Sequence, residues 1–216
     1  MNLTFHGVGP GIRQLDPGED RVWVSSEQFA SALDAIAERD DVAIMFDDGN
    51  ASDVDEVLPA LLARDLRATF FVVAGRLETP GFLDETAVRL LAGEGMIIGC
   101  HGMQHRSWRH LDDDDLDEEL SAARRRLEGV VGRPVVHAAC PFGAYDRRVL
   151  RSLRRYGYER VFTSDGGAAR PGRWLQPRTS LGNNDTPRDV EKIIAGDLPA
   201  WRSLAGRAKT MVKRWR

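Results

Sequence analysis

Short apolar runs that never alternate with polar residues punctuate this chain. They fall at residues 3–5, 42–46, 68–73, 96–99, 135–139 and 160–163, with a weaker one at 174–178. A strand with one wet face alternates apolar and polar positions. An unbroken apolar run suits a strand buried on both faces, as in a parallel sheet covered by helices. The stretches between the runs read as helices. Ser52 is placed to cap a helix over 53–64, with Asp55 and Glu56 in its first turn and Pro59 as an awkward member. Residues 84–92 form another, stopped by Gly93 and Gly95. The acidic run 112–119 reads as a helix start meeting the positive dipole end, with Arg124, Arg125 and Arg126 near the opposite end. A helix over 147–156 is closed by Gly157. Repeated β-then-α units predict an α/β fold with a parallel sheet. The 216 residues suit a single domain of roughly 100–200 residues. They fall short of the about 250 needed by a full eight-unit barrel.

Charge is unevenly spread. The net charge is 30 − 33 = −3, yet residues 201–216 hold six basic residues and no acid, which leaves 24 − 33 = −9 for residues 1–200. An acidic body argues against nucleic acid as a partner, because that affinity comes from neutralising phosphates. The expected division is a barrel over 1–200 and a basic amphipathic helix over 201–216. In the latter, Trp201, Leu204, Ala208, Met211 or Val212, and Trp215 recur at helical spacing. Such a helix either packs on the barrel or lies on an anionic membrane. Cys100 and Cys140 are too few for a disulfide scaffold or a four-cysteine zinc module. The first residues lack a basic or apolar leader, and no run of 18 apolar residues occurs. The expectation is therefore a cytoplasmic protein, with peripheral membrane contact only through the tail.

In α/β folds, functional residues sit just after the strands. His6, Asp47, Asp48 and His101 all fall there. His101-Gly102-Met103-Gln104-His105 puts two imidazoles four residues apart, and on a helical turn they would face one way and chelate one metal. With Asp48 they make two histidines and a carboxylate with an open fourth position, as catalytic metal sites have. Such donors suit Zn²⁺ first, and also Co²⁺, Ni²⁺, Mn²⁺ or Fe²⁺. Adjacent aspartates cannot point in one direction. One can ligate while the other takes a proton from water, whose pKa a metal lowers towards about 7. Taken alone, Asp47-Asp48-Gly49 is also a common turn.

Three segments together resemble the polysaccharide deacetylases, carbohydrate esterase family 4 with its NodB-homology domain. Met45-Phe46-Asp47-Asp48-Gly49 is similar to the family's Thr-Phe-Asp-Asp-Gly motif, and His101 to His105 to its His-Ser/Thr-x-x-His motif. Cys140-Pro141-Phe142-Gly143-Ala144-Tyr145-Asp146 resembles its Arg-Pro-Pro-Tyr-Gly motif. The order is the family's, over about residues 40–165. The resemblance implies a distorted (β/α)7 barrel and removal of acetyl groups from an N-acetylhexosamine glycan or glycan precursor. It implies Asp47 as general base and Asp48, His101 and His105 as ligands of one divalent metal, zinc first. It also implies the Phe142 amide as an oxyanion donor, with Pro141 and Gly143 beside the substrate.

Two departures stand out. The third motif's arginine, which orients the base, aligns with Ala139, and Arg178 at the end of the last run is the candidate substitute. The family's late histidine acid has no match, since no histidine follows His137. His6 is the candidate acid, by resemblance to circularly permuted relatives with that histidine at the N-terminus. Asp165, after the sixth run, is a candidate support for a catalytic residue or a turn residue. His137, His110, the two cysteines, Trp108 and Trp174 read as packing. The rival readings are an O-acetyl esterase with the same site, a glycan-binding barrel lacking catalysis, and another metal-dependent hydrolase.

Overall fold

The computed structural model describes residues 1–11 and 13–197; the basic segment 201–216 lies outside the described residues. Eight parallel strands form one sheet. They are β1 (Asn2–Phe5), β2 (Ala43–Asp48), β3 (Ala68–Val72), β4 (Ile97–Cys100), β5 (His137–Ala139), β6 (Arg160–Thr163), β7 (Leu175–Pro177) and β8 (Thr179–Ser180). Their spatial order is β7-β6-β5-β4-β3-β2-β1-β8. The two edge strands, β7 and β8, are separated in the chain only by Arg178. β7 pairs with β6 and β8 pairs with β1. One short segment thus bridges the two ends of the sheet and closes it into a barrel of seven staves.

Helices α1 (Ser26–Ile36), α2 (Leu58–Leu62), α3 (Glu85–Gly93), α4 (Asp113–Asp117), α5 (Ala123–Val131), α6 (Arg147–Arg155) and α7 (Pro187–Ala195) cover the outside. Their starts follow capping chemistry. Ser25, Asp84, Asp112, Asp146 and Thr186 each accept a hydrogen bond from a backbone N–H of the first turn. The acidic run at 112–119 is thus a helix start, as its charges imply. Ser52 is not the expected cap. It already has helical backbone, and its Oγ accepts from Val8 N–H at 3.4 Å. One wide turn, Asp53–Val57, precedes α2, and it accommodates the N–H that Pro59 lacks. A second wide turn, Glu118–Ala122, joins α4 to α5.

Side-chain alternation sorts the strands into two layers. Phe5, Phe46 and Phe70 stack in a row, and Phe29 of α1 meets the first two edge-on, so these residues face outward under the helices. The intervening residues therefore face inward. Met45, Phe71, Ala139 and Phe162 form a separate buried cluster inside the barrel. Asp47, two residues beyond Met45, sits at the top of that cluster in register with Phe71. The strand period thus carries a carboxylate into the barrel mouth.

Candidate active site

A cleft of about 490 Å³ opens at the C-terminal ends of the strands. His6, Asp47, Asp48, His101, His105 and Phe142 all line it, together with Arg76, Ser164 and residues of the 16–22 loop. Residues from three distant motifs thus line one cleft, whereas Pro141 and Gly143, expected beside the substrate, are buried behind Phe142 and do not line it.

Asp47 is buried and gripped by Arg178, whose two terminal nitrogens reach the two carboxylate oxygens at 2.6 and 2.7 Å. Burial alone would push the Asp47 carboxyl up. The charge of Arg178, with His101 and His6, outweighs that and holds it well below the usual carboxylate range. Arg178 is only 1% exposed and lies over the Phe71 ring. It occupies the single position between β7 and β8, where its N–H bonds to the Thr163 carbonyl. The closing stave therefore delivers the guanidinium to the barrel interior. His6, directly after β1, places Nε2 3.9 Å from Asp47 Oδ2.

Asp48, the last residue of β2, has left-handed backbone, with φ 77°, and lines the same cleft as Asp47. Its Oδ1 is buried with no hydrogen bond, 3.1 Å from His105 Nε2 and 3.6 Å from His101 Nε2. One ligand atom from each of the three residues falls within 4.8 Å of the others. His101 Nδ1 lies 2.9 Å from the Ala139 carbonyl. A proton placed there leaves Nε2 as the lone pair facing Asp48, the usual arrangement of a metal-binding histidine. Burial pushes the His105 imidazole down to about 4, so it is neutral near pH 7. Two imidazole nitrogens around an orphaned carboxylate oxygen fit a divalent cation.

The two histidines do not lie on a helical turn, as their spacing suggests. They sit on an irregular loop with positive φ at Gly102 and His105. The cause is Glu119, from the wide turn of the α4–α5 helix. It is fully buried and accepts from Met103 N–H, Gln104 N–H, Arg106 Nε and Trp108 Nε1, at 2.9 to 3.2 Å. A Cβ on Gly102 would lie 2.2 Å from Glu119 Oε2, so only glycine lets the loop close on it. The sequence reads Glu119 only as one of the acids of a helix start, and no local signal separates it from its neighbours. Glu119→Ala strands four donors in a buried site, which costs about 3 kcal/mol or more. A drop in melting temperature together with weakened metal retention is the expected result, measured by calorimetry and elemental analysis.

Phe142 shares the left-handed backbone, with φ 57°, and its ring is 68% exposed at the lip beside His105. Pro141 has no N–H, and the Gly143 and Ala144 N–H groups bond to the carbonyls of Cys140 and Pro141. Asp48, His105 and Phe142 are thus three of the six described non-glycine residues with positive φ, a conformation that costs on the order of 1–3 kcal/mol each, and all three line the cleft. Asp165 accepts from Tyr145 Oη at 2.7 Å and Thr163 Oγ1 at 3.1 Å, tying this turn to the end of β6. Cys100 is buried, which pushes its thiol up to about 11. Trp108 is fully buried against Glu119, and Trp174 donates to the Tyr158 carbonyl. Both tryptophans therefore pack, as expected.

The 16–22 wall of the cleft has no counterpart in the sequence reading. Arg13 anchors it by pairing with Glu19 and donating to Asn50 Oδ1, just beyond Asp48-Gly49. Asp16 pairs with Arg76 across the mouth.

A buried aspartate–arginine pair next to a carboxylate and two imidazoles, at the open end of a parallel barrel, is a hydrolase-type constellation. Residues 34–161 match the polysaccharide deacetylase family, and the chain belongs to that family. Among curated relatives, a chitooligosaccharide deacetylase from Azorhizobium caulinodans is 27% identical over 183 residues, covering 79% of this chain and 82% of that one. A peptidoglycan-N-acetylglucosamine deacetylase from Bacillus cereus is 28% identical over 124 residues, covering 57% of this chain and 56% of its own. Another relative, YxkH of Bacillus subtilis, is spanned over 46% of its length. The fold is shared with the Streptococcus pyogenes deacetylase PplD in complex with acetate. Its TM-score is 0.77 at 18% identity, over 92% of this chain and 97% of that one. Among the described residues no helix is long and apolar enough to cross a membrane.

Proposed function

We propose that this chain is a metal-dependent carbohydrate N-deacetylase, releasing acetate from an N-acetylhexosamine-containing glycan or glycan precursor. The observation that carries this reading is the division of labour between adjacent aspartates. Asp48 lies beside the His105 and His101 Nε2 atoms, while Asp47 is gripped by a guanidinium and has His101 Nε2 at 3.8 Å and His6 Nε2 at 3.9 Å.

Asp48, His101 and His105 would hold the cation. Bound there, a divalent metal supplies Lewis acidity, which polarises the acetyl carbonyl and makes water easier to deprotonate. Asp47 acts as the general base and is kept ionised by Arg178 across the working pH range. Arg178 thereby takes the place of the third-motif arginine, and this favours a working enzyme over a barrel that only binds glycan. The Phe142 amide donates to the oxygen of the tetrahedral intermediate, a contribution of about 3–4 kcal/mol where such donors are preorganised. His6, on the other side of Asp47, protonates the departing amine. Asp165 braces the third-motif turn and takes no proton. The relatives' names, chitooligosaccharide deacetylase and peptidoglycan-N-acetylglucosamine deacetylase, support an N-acetylhexosamine as the sugar.

The test is acetate release from N-acetylhexosamine oligomers and from lipid- or nucleotide-linked N-acetylhexosamines, run beside O-acetylated sugars. Asp48→Ala is expected to lose both the metal, by elemental analysis, and acetate release. Cleavage of O-acetyl substrates alone would replace the N-deacetylase reading with the esterase one. Turnover that is unchanged in metal-stripped protein would remove it.

A further inference from the structure

A second cleft, of about 600 Å³, lies between the C-terminal turn of α6 and the connection leading into β7. Its lining includes Arg154, Arg170, Arg173 and Trp174. It is at the opposite end of the barrel from the catalytic mouth, because Trp174 and Leu175 enter β7 at its start and α6 ends just before β6 begins.

The three guanidiniums are not neutralised. Among the described residues no carboxylate lies within ion-pair distance of them, whereas Arg124 and Arg148 nearby pair with Glu128 and Asp113. The helix dipole accounts for a basic residue at the end of α6, but it gives no reason for Arg170 and Arg173, which lie on a loop. Nor does composition, since residues 1–200 carry a net charge of −9.

The walls of the cleft are also ordered from within. Gln176 is buried and spans the loop: its Nε2 donates to the carbonyls of Arg170 and Arg173 at 2.5 and 2.6 Å, and its Oε1 accepts from Arg170 N–H at 2.9 Å. Trp174 is fixed by its bond to the Tyr158 carbonyl, and the Arg154 guanidinium lies 4.1 Å above its ring. The cations are therefore presented on a braced loop and an aromatic plate. Guanidinium forks match the oxygens of a phosphate, and three arginines lining one cleft offer several donors to one tetrahedral anion.

We infer that this cleft binds a phosphate group, carried either by a phospholipid headgroup or by a soluble phosphorylated molecule. The inference does not depend on the proposed reaction, since no residue of the catalytic cleft takes part. The probe is inorganic phosphate, titrated calorimetrically into the full chain. Saturable binding is expected. Changing Arg154, Arg170 and Arg173 together to Ala should weaken it by about tenfold or more, and acetate release should stay unchanged. Asp48→Ala should retain phosphate affinity, which separates this site from any anion held near the metal ligands. Co-sedimentation with phosphatidylcholine vesicles, with and without phosphatidylglycerol, then distinguishes the sources. Loss of vesicle retention in the triple variant, which keeps residues 201–216, indicates the headgroup. Unchanged retention with lost phosphate binding indicates a soluble ligand. Absence of phosphate binding, or equal binding by the triple variant, would overturn the inference.

Discussion

Asp47→Asn is expected to retain metal and to lower turnover by about 10²- to 10⁴-fold, the range for loss of a positioned proton acceptor. The amide can still accept from Arg178, so the side chain stays in place, but it no longer takes a proton from water. Single-turnover kinetics with elemental analysis on the same preparation checks both halves. Loss of metal in this variant would move Asp47 into the ligand set and undo the division between the two aspartates. His6→Ala gives the complementary contrast. Its deficit should be large for an amide, whose amine must leave protonated, and much smaller for an activated ester whose leaving group needs no proton. An equal deficit on both substrates would deny His6 the acid role.

Arg178→Met should produce the second large effect, on stability and activity together. Removing one partner of a buried ion pair leaves an uncompensated charge, at about 3–5 kcal/mol. In the native protein the Asp47 pKa is depressed in the folded state. The pair therefore stabilises at any pH above the unfolded carboxyl value of about 3.9, and that stabilisation is lost only as pH falls through the lower, folded value. Without Arg178, burial dominates and the folded pKa rises. The variant's deficit should then be greatest near neutral pH and shrink on acidification, as Asp47 takes up a proton. The acid limb of its pH–rate profile should move to higher pH. Denaturant titrations from pH 3 to 8 and the rate profile are the measurements. A stability deficit that is independent of pH, with an unmoved acid limb, would make Arg178 a packing residue. Arg178→Lys should recover charge but not the two-pronged geometry, and so restore part of both.

Much of this was legible in the sequence, for definite reasons. The strands were visible because inward and outward faces are both buried, which leaves unbroken apolar runs. The candidate trio Asp48, His101 and His105, with Asp47, stood out because these residues lie at or near strand ends and stand in short motifs. Arg178 could be named only as a candidate, because its role depends on barrel closure. Nothing local in residues 174–178 says that one stave must pair with both β6 and β1. Glu119 was hidden for a similar reason. Its sequence neighbours are surface acids, and only packing of the α4–α5 helix against the 102–108 loop turns it inward. The irregular backbone of that loop also escaped the histidine spacing, which reads equally well as a helical turn. The Arg13–Asn50–Glu19 clamp joins segments that share no motif.

The closing segment also sets the order in which the catalytic parts come into being. A ribosome makes Asp48, His101 and His105 well before Arg178, and β7 and β8 are the last strands to emerge. A nascent chain could bring Asp48, His101 and His105 together while Asp47 still lacked its counter-charge. The Asp47–Arg178 pair would form only when the final stave joined β6 to β1. Competence for chemistry would then be a late event in synthesis, coupled to completion of the barrel.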